Sequence, residues 1–335
     1  MAGGEGRADA EFAYICETGI APESFNQTVF NKFLETMKKT LLVMTAAVLA
    51  MACGDKNRTA EVVVLTDGIS YPESVALNDT VLYVANFGSS RLDPLNDEGK
   101  GYILAFAGAD TVSRMLVPPS GILSAPKGMQ VKNDNLYVAD VNKLVIYDLE
   151  NLDVAPGIIN LPQGENYVND LAFNGDDLYI TVTNSGNIYM MDVEDPDDSL
   201  KVVANVPGAN GIAFKGNTAY VASYPPDGNT SADNVIYVIE DVANPIPVKL
   251  SDRQGHYDGL AVAEDDNLLY FTNWVDGEVG CIDLSNNEVS MVDLGGVKLG
   301  GPARLIEADG VLYIPDLPNN RVVKVRPHVD RNRNR

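Results

Sequence analysis

The chain is poor in the residues that most often announce a chemistry. Its 335 residues include two histidines, one tryptophan and three cysteines. Cys16, Cys53 and Cys281 fit neither a disulfide framework nor a zinc knuckle. Phosphate-binding loops, nucleotide fingerprints and serine nucleophile elbows are missing. Basic residues are scarce, with 24 Lys and Arg against 47 Asp and Glu, a formal charge of -23. That field repels nucleic-acid phosphates and anionic lipid head groups and favours cations. Helical periodicity is nearly absent after Cys53, which leaves short strands and turns as the organising pattern.

One apolar run, Leu41 to Ala52, is too short to span a bilayer. Lys38 and Lys39 precede it, and the small-residue ending Ala50-Met51-Ala52 leads into Cys53. Residues 37–52 therefore read as a secretory signal. Their Ala-Met-Ala-Cys ending resembles the bacterial lipobox, which implies lipidation of Cys53 and a cell-envelope location, periplasmic or at the cell surface. On this reading the lipid on Cys53 is the chain's sole link to a membrane. Residues 1–36 precede the signal and read as a start-site artefact or a poorly ordered arm. Residues 53–60 are a tether and residues 328–335 a solvated tail. Cys281, in the strand-like "GEVGCIDL", reads as a small core hydrophobe.

Between these ends the chain repeats itself. "PESVALNDTVLYVAN" from Pro72 returns as "PKGMQVKNDNLYVAD" from Pro126, and four further copies follow. The tyrosine of each copy stands at 83, 137, 179, 220, 270 and 313. Each hairpin is followed by a third and a fourth strand, with Gly, Asn, Asp and Pro at the joins. Four short strands every 41–54 residues predict an all-β, six-bladed β-propeller over residues 61–327. The sixth copy lacks its fourth strand, whereas "EVVVLTDG" from Glu61 is a strand without a hairpin. Pairing these two closes the ring and removes its open edges. The longer segments "FGSSRLDPLNDEGKG" and "YPPDGNTSADN" both follow a tyrosine strand, so both are expected over the same rim.

The first strand of each blade lines the central channel, so one register position forms a ring. That position holds Glu73, Lys127, Asn169, Asn210, Asp258 and Pro302. The next holds Ser74, Gly128, Asp170, Gly211, Gly259 and Ala303, mostly small, which lets the backbones approach. Two carboxylates and two amides buried on one axis cost several kcal/mol unless something satisfies them. A hard divalent cation does so through oxygen ligands. Asn-Gly and Asp-Gly are also ordinary turn dipeptides.

Glu in the first blade, Asn in the third, Asn-Gly in the fourth and Asp-Gly in the fifth resemble the senescence-marker/gluconolactonase/luciferin-regenerating-enzyme superfamily. "Val-Asn-Asp-Leu" at Val168 also resembles a motif of the related paraoxonases. The resemblance implies one divalent cation, Ca²⁺ favoured over Mg²⁺, Mn²⁺ or Zn²⁺, on Glu73, Asn169, Asn210 and Asp258. It implies hydrolysis of a small lactone or ester, with Asp258 or Asp170 carrying the proton. Lys127 departs from the pattern. It could turn outward, pair with Glu73 or Asp258 in place of a metal, hold a substrate carboxylate, or stabilise an oxyanion. Pro302 offers no side-chain ligand. His256, Tyr257, Trp274 and Tyr224 are candidates for the pocket or its surround. Two other classes remain open. One is a non-catalytic propeller binding a ligand, glycan or protein; the other is strictosidine-synthase-like or lyase chemistry.

Overall fold

A computed structural model of the chain describes residues 60–108, 111–263 and 267–327. The signal-like segment, Cys53 and the 328–335 tail lie outside the described residues. Six four-stranded antiparallel sheets follow one another along the chain. β1 (Glu61–Leu65) comes first. Blade one is β2 (Pro72–Asn78), β3 (Val81–Asn86), β4 (Tyr102–Ala107) and β5 (Arg114–Val117). Blade two is β6 (Pro126–Lys132), β7 (Asn135–Asp140), β8 (Lys143–Asp148) and β9 (Gly157–Asn160). Blade three is β10 (Val168–Asn174), β11 (Asp177–Val182), β12 (Asn187–Asp192) and β13 (Lys201–Asn205). Blade four is β14 (Ala209–Lys215), β15 (Thr218–Ser223), β16 (Tyr237–Ile239) and β17 (Val248–Lys249). Blade five is β18 (Tyr257–Ala263), β19 (Leu268–Asn273), β20 (Glu278–Asp283) and β21 (Glu288–Met291).

Blade six takes its strands from both ends of the propeller. β22 (Ile306–Ala308), β23 (Val311–Asp316) and β24 (Arg321–Arg326) are joined at the outer edge by β1. β1 pairs antiparallel with β24, from Glu61 opposite Arg326 to Leu65 opposite Val322. The closure expected from the missing fourth strand is therefore present, and the last sheet exposes no unpaired β24 edge.

The repeated residues explain the packing. Each motif tyrosine leaves its own sheet and packs into the layer shared with the next blade: Tyr83 with Met129 and Val138, Tyr137 with Leu171 and Ile180, Tyr179 with Ile212 and Val221. Tyr137 meets Phe173 edge-on at 5.2 Å, and Tyr179 meets Phe214 at 4.8 Å. The core is thus a set of apolar layers between blades. The last layer, between blades six and one, joins Leu65 and Val322 to Val75, Leu82 and Val84.

In blades one, two, five and six the Asn or Asp that ends the second strand ties down the loop entering its blade; in blade three β11 ends in Val182, and Asn184 two residues on accepts from the N–H groups of Asn166 and Tyr167. Asn86 Oδ1 accepts from the Ser70 N–H, Asp140 from the N–H groups of Ser124 and Ala125, Asn273 from His256, and Asp316 from Gly300 and Gly301. In blade four Ser223 replaces it and donates to the Pro207 carbonyl.

Closure yields a prediction. Leu65 is buried between blades six and one, whereas Val63 on the same strand faces solvent. Leu65→Ala should cost about 2–4 kcal/mol in urea unfolding, and Val63→Ala about 0.5 kcal/mol or less. Equal, negligible effects would mean that β1 is not part of the cooperative unit.

Candidate functional site

Each inner hairpin breaks register at the ring. The pairing slips between Pro72 and Ser74, Pro126 and Met129, Val168 and Leu171, Ala209 and Ile212, and Tyr257 and Leu260. Each slip is a β-bulge, one extra residue on the inner strand, which re-aims a side chain and leaves an N–H unpaired. The ring residues Glu73, Lys127, Asn169, Asn210 and Asp258 occupy these bulges. Threonines on the second strands take up the freed groups. The Asp170 N–H donates to Thr181 Oγ1, which donates to the Asn210 carbonyl of the next blade. The Gly259 N–H donates to Thr272 Oγ1, which donates to the Ala303 carbonyl.

Glycine after the bulge permits the blades to close on one another. A Cβ on Gly211 would stand 2.3 Å from the Asp258 carbonyl oxygen, and one on Gly259 would stand 2.6 Å from the Leu305 nitrogen. Both obstacles are backbone, so neither position admits a side chain without moving a blade.

All five polar ring residues are buried. Four of them, Glu73, Lys127, Asn169 and Asp258, border a cavity of about 160 Å³ whose wall also includes Phe87, Tyr167, Tyr224 and Trp274. Leu92 and Pro94 from the long blade-one segment reach the same cavity as Tyr224 from the blade-four segment. The two long segments do cover one mouth. Asn210 is buried at its ring position but does not border the cavity.

The electrostatics are unusual. Glu73 Oε2 and Asp258 Oδ1 are buried with no hydrogen-bond partner among the described residues. Burial pushes the Asp258 carboxyl up to about 8, with the Asp170 charge adding to the rise. Burial also holds Glu73 well above the usual carboxylate range; Asp258 reinforces this and Lys127 opposes it. Lys127 is brought down to about 8 by burial, against the pull of Asp140 and Glu73.

Lys127 neither turns outward nor pairs with a carboxylate. Its Nζ donates to the Ala125 carbonyl at 3.0 Å and stands 5.3 Å from the Tyr167 ring centre and 5.8 Å from that of Phe87. Asn169 is oriented from behind. The Thr183 hydroxyl donates to the Ala209 carbonyl at 2.9 Å, so its oxygen is left to accept from Asn169 Nδ2 at 2.9 Å. That fixes the amide nitrogen on Thr183 and leaves Oδ1 free for the axis.

Two sequence expectations are corrected. Asp170 is not a free proton carrier. Its Oδ1 is paired with Arg304 Nε and accepts from the Leu171 N–H, and its Oδ2 accepts from the Ile212 N–H at 3.0 Å. A carboxylate paired with a guanidinium, holding three hydrogen bonds and standing off the cavity wall is not placed to collect a substrate proton. Tyr257 faces away from the pocket: its ring packs edge-on against Phe271 at 5.3 Å and its hydroxyl donates to the Arg253 carbonyl. Trp274 and Tyr224 line the cavity, and His256 stands behind Tyr224, its ring 5.5 Å away edge-on.

Other participants went unread in the sequence. Arg304, 4 % exposed, follows the ring in blade six and donates to the carbonyl oxygens of Val75 and Leu171 as well as to Asp170. Its guanidinium thereby ties blade six to blades one and three. Tyr167 and Phe87 form the aromatic wall; a hint was available in their place beside the ring motifs, two before Asn169 and one after Asn86. Thr183 carried no signal beyond its place at the end of β11.

No protein-family model and no curated protein sequence matches the chain. Among solved structures it is similar to a gluconolactonase from Xanthomonas campestris, with TM-score 0.62 and 17% identity over 80% of this chain and 90% of that one. It is similar to a chain of the nidogen/laminin complex, with TM-score 0.55 and 13% identity over 79% and 88%. It is also similar to a catalytically inactive virginiamycin B lyase from Staphylococcus aureus, solved with quinupristin, with TM-score 0.53 and 14% identity over 81% and 100%. At these identities the likeness is one of fold: the chain is a six-bladed β-propeller of gluconolactonase-like architecture.

Proposed function

We propose that the axial cavity hydrolyses a small lactone or ester with the help of one divalent cation, Ca²⁺ in preference to Mg²⁺, Mn²⁺ or Zn²⁺. The observation that carries this reading is the pair of buried, unpartnered oxygens, Glu73 Oε2 and Asp258 Oδ1, in a cavity of ring size. An unpaired buried carboxylate is costly, and a hard cation with oxygen ligands removes the cost. Asn169, with Oδ1 left toward the axis, would add a third oxygen, and Asn210, buried at the same register but off the cavity wall, would join only by turning toward the axis. Among the described residues no group of three or more His, Cys, Asp or Glu is placed to hold a metal, so on this reading an amide oxygen joins the two carboxylates.

Size supports the substrate class. A cavity of about 150 Å³ admits benzene, and this one, about 160 Å³, suits a single five- or six-membered ring. When bound, the cation would supply Lewis acidity toward a carbonyl oxygen. Asp258, which borders the cavity and keeps one oxygen unpartnered, is the carboxylate placed to take and return the proton. Phe87, Tyr167 and Trp274 exclude bulk water and stack on the ring. In the net reaction water adds its oxygen to the acyl carbon, the acyl C–O bond breaks, one proton ends on the alkoxide oxygen, and a carboxylic acid results. The gluconolactonase-like fold is consistent with this chemistry, and lipidation at Cys53 would place it in the cell envelope.

Metal analysis of the purified protein should find about one divalent ion per chain, lost in Asp258→Ala together with lactone turnover. A wild-type protein that takes up no ion from millimolar Ca²⁺ and is inert toward lactones contradicts the reading.

Thr183→Val keeps the side-chain shape but frees the Asn169 amide to rotate. It should weaken Ca²⁺ binding by about 10–100-fold, the usual effect of losing a group that orients a ligand. An unchanged calorimetric affinity would remove Asn169 from the site.

The pH dependence of the cation-free protein has a definite sign. A carboxyl whose pKa is raised on folding favours the native state at low pH, and that advantage is lost as pH rises through the folded value. For Asp258 the window runs from about 4 up to about 8. Lys127, lowered to about 8, is protonated in both states below that value and adds no slope there. Stability in EDTA should therefore fall from pH 5 to pH 8, the fall should shrink in Asp258→Asn, and Ca²⁺ should reverse it. A flat profile in EDTA would show that the carboxylates are satisfied without an ion.

A further inference from the structure

We infer that Lys127 selects the substrate by charge: the cavity takes a small lactone or ester that carries its own carboxylate, and the Lys127 ammonium is the counter-ion. The inference rests on the hydrolase reading above and names its substrate class.

Lys127 is 1 % exposed and borders the cavity. An ammonium has three N–H donors, and one of them is used, on the Ala125 carbonyl at 3.0 Å. The faces of Tyr167 and Phe87 flank it but accept no conventional hydrogen bond. Among the described residues Lys127 enters no ion pair, although Glu73 and Asp258 border the same cavity. A lysine retained to neutralise those carboxylates would lie on one of them. This one is held away. Its carbonyl anchor is itself fixed, because the Ala125 N–H donates to Asp140 Oδ1 at 2.7 Å. The ammonium is therefore positioned in advance, with two donors left for a molecule that enters the cavity.

Charge counting points to the same class. Arg304 and Asp170 cancel each other in a closed pair. A divalent cation cancels Glu73 and Asp258. Lys127 then leaves the cavity with one uncompensated positive charge, which a monoanion neutralises. The chain's overall charge of -23 repels anions at long range, so an anion preference has a local source, Lys127 or the cation, and titration in EDTA and in the Lys127 variants separates the two. A planar carboxylate, which accepts two hydrogen bonds, matches the two free N–H groups.

The probes are a matched pair of rings without a reactive carbonyl, tetrahydropyran-2-carboxylate and tetrahydropyran-2-methanol, titrated calorimetrically into the protein in Ca²⁺ and in EDTA. Wild type in Ca²⁺ should prefer the carboxylate by about tenfold or more, the worth of one charge-assisted contact. The preference should vanish in Lys127→Met, with Ca²⁺ affinity retained or increased. Lys127→Gln, which keeps a donor for the Ala125 carbonyl, replaces it if Lys127→Met does not fold. Equal affinity of wild type for the two probes overturns the inference without any variant, and so does a preference that survives removal of Lys127. Carboxylate preference in a protein that opens no lactone leaves Lys127 standing as the counter-ion of a bound carboxylate and removes the hydrolase reading. Turnover of neutral lactones without carboxylate preference does the reverse.

Discussion

Glu73 Oε2 and Asp258 Oδ1 lie inside the propeller with no hydrogen-bond partner among the described residues, and much of the molecule is arranged to hold them there. Ionising one unpaired buried carboxyl costs several kcal/mol, and a second acid on the same axis raises that cost, as the upward shifts of both show. The protein tolerates this because the six inner strands are over-determined from outside. Apolar layers between blades fix their spacing, capping Asn and Asp residues fix their entry loops, and bulge-filling threonines fix their register. β1 completes the last layer through Leu65, so the whole disc supports the axis. The cost is concentrated where a ligand can relieve it.

The axis has two levels with different electrostatic logic. Below the ring, Arg304 and Asp170 satisfy each other and the surrounding carbonyl and N–H groups, which is how a buried ion pair becomes affordable in a fold. At the ring, the acids and the lysine share a cavity without pairing. One network is closed on itself, and the other is open to the cavity. That contrast separates charge closed into the fold from charge open to the cavity: of the two acids expected to carry the proton, Asp258 or Asp170, Asp258 borders the cavity and Asp170 does not.

The blades were legible in the sequence because a blade is a local object: a hairpin, a tyrosine, a turn and two more strands repeat within 41–54 residues. Closure was legible as an arithmetic remainder, one strand too many at Glu61 and one too few after Arg326. Even the ring could be aligned, since Glu73, Lys127, Asn169, Asn210 and Asp258 share a register. The direction of a side chain at that register could not, because the bulge that turns it is a break in pairing and leaves no mark in residue type. Arg304 was invisible for a different reason. Its partner Asp170 lies 134 residues away, and the short β22 gives no pattern that would single it out. Tyr257 misled because it neighbours Asp258; adjacent residues on a strand face opposite sides, and the bulge directs Asp258 to the cavity while Tyr257 stays in the layer against Phe271.

Crystals grown with Mn²⁺ as an anomalous probe test the central claim most directly. The account predicts one strong anomalous peak on the propeller axis, about 2.0–2.6 Å from oxygens of Glu73 and Asp258, with Lys127 still on the Ala125 carbonyl. An empty axis at saturating Mn²⁺, or peaks confined to acidic surface turns, would contradict it.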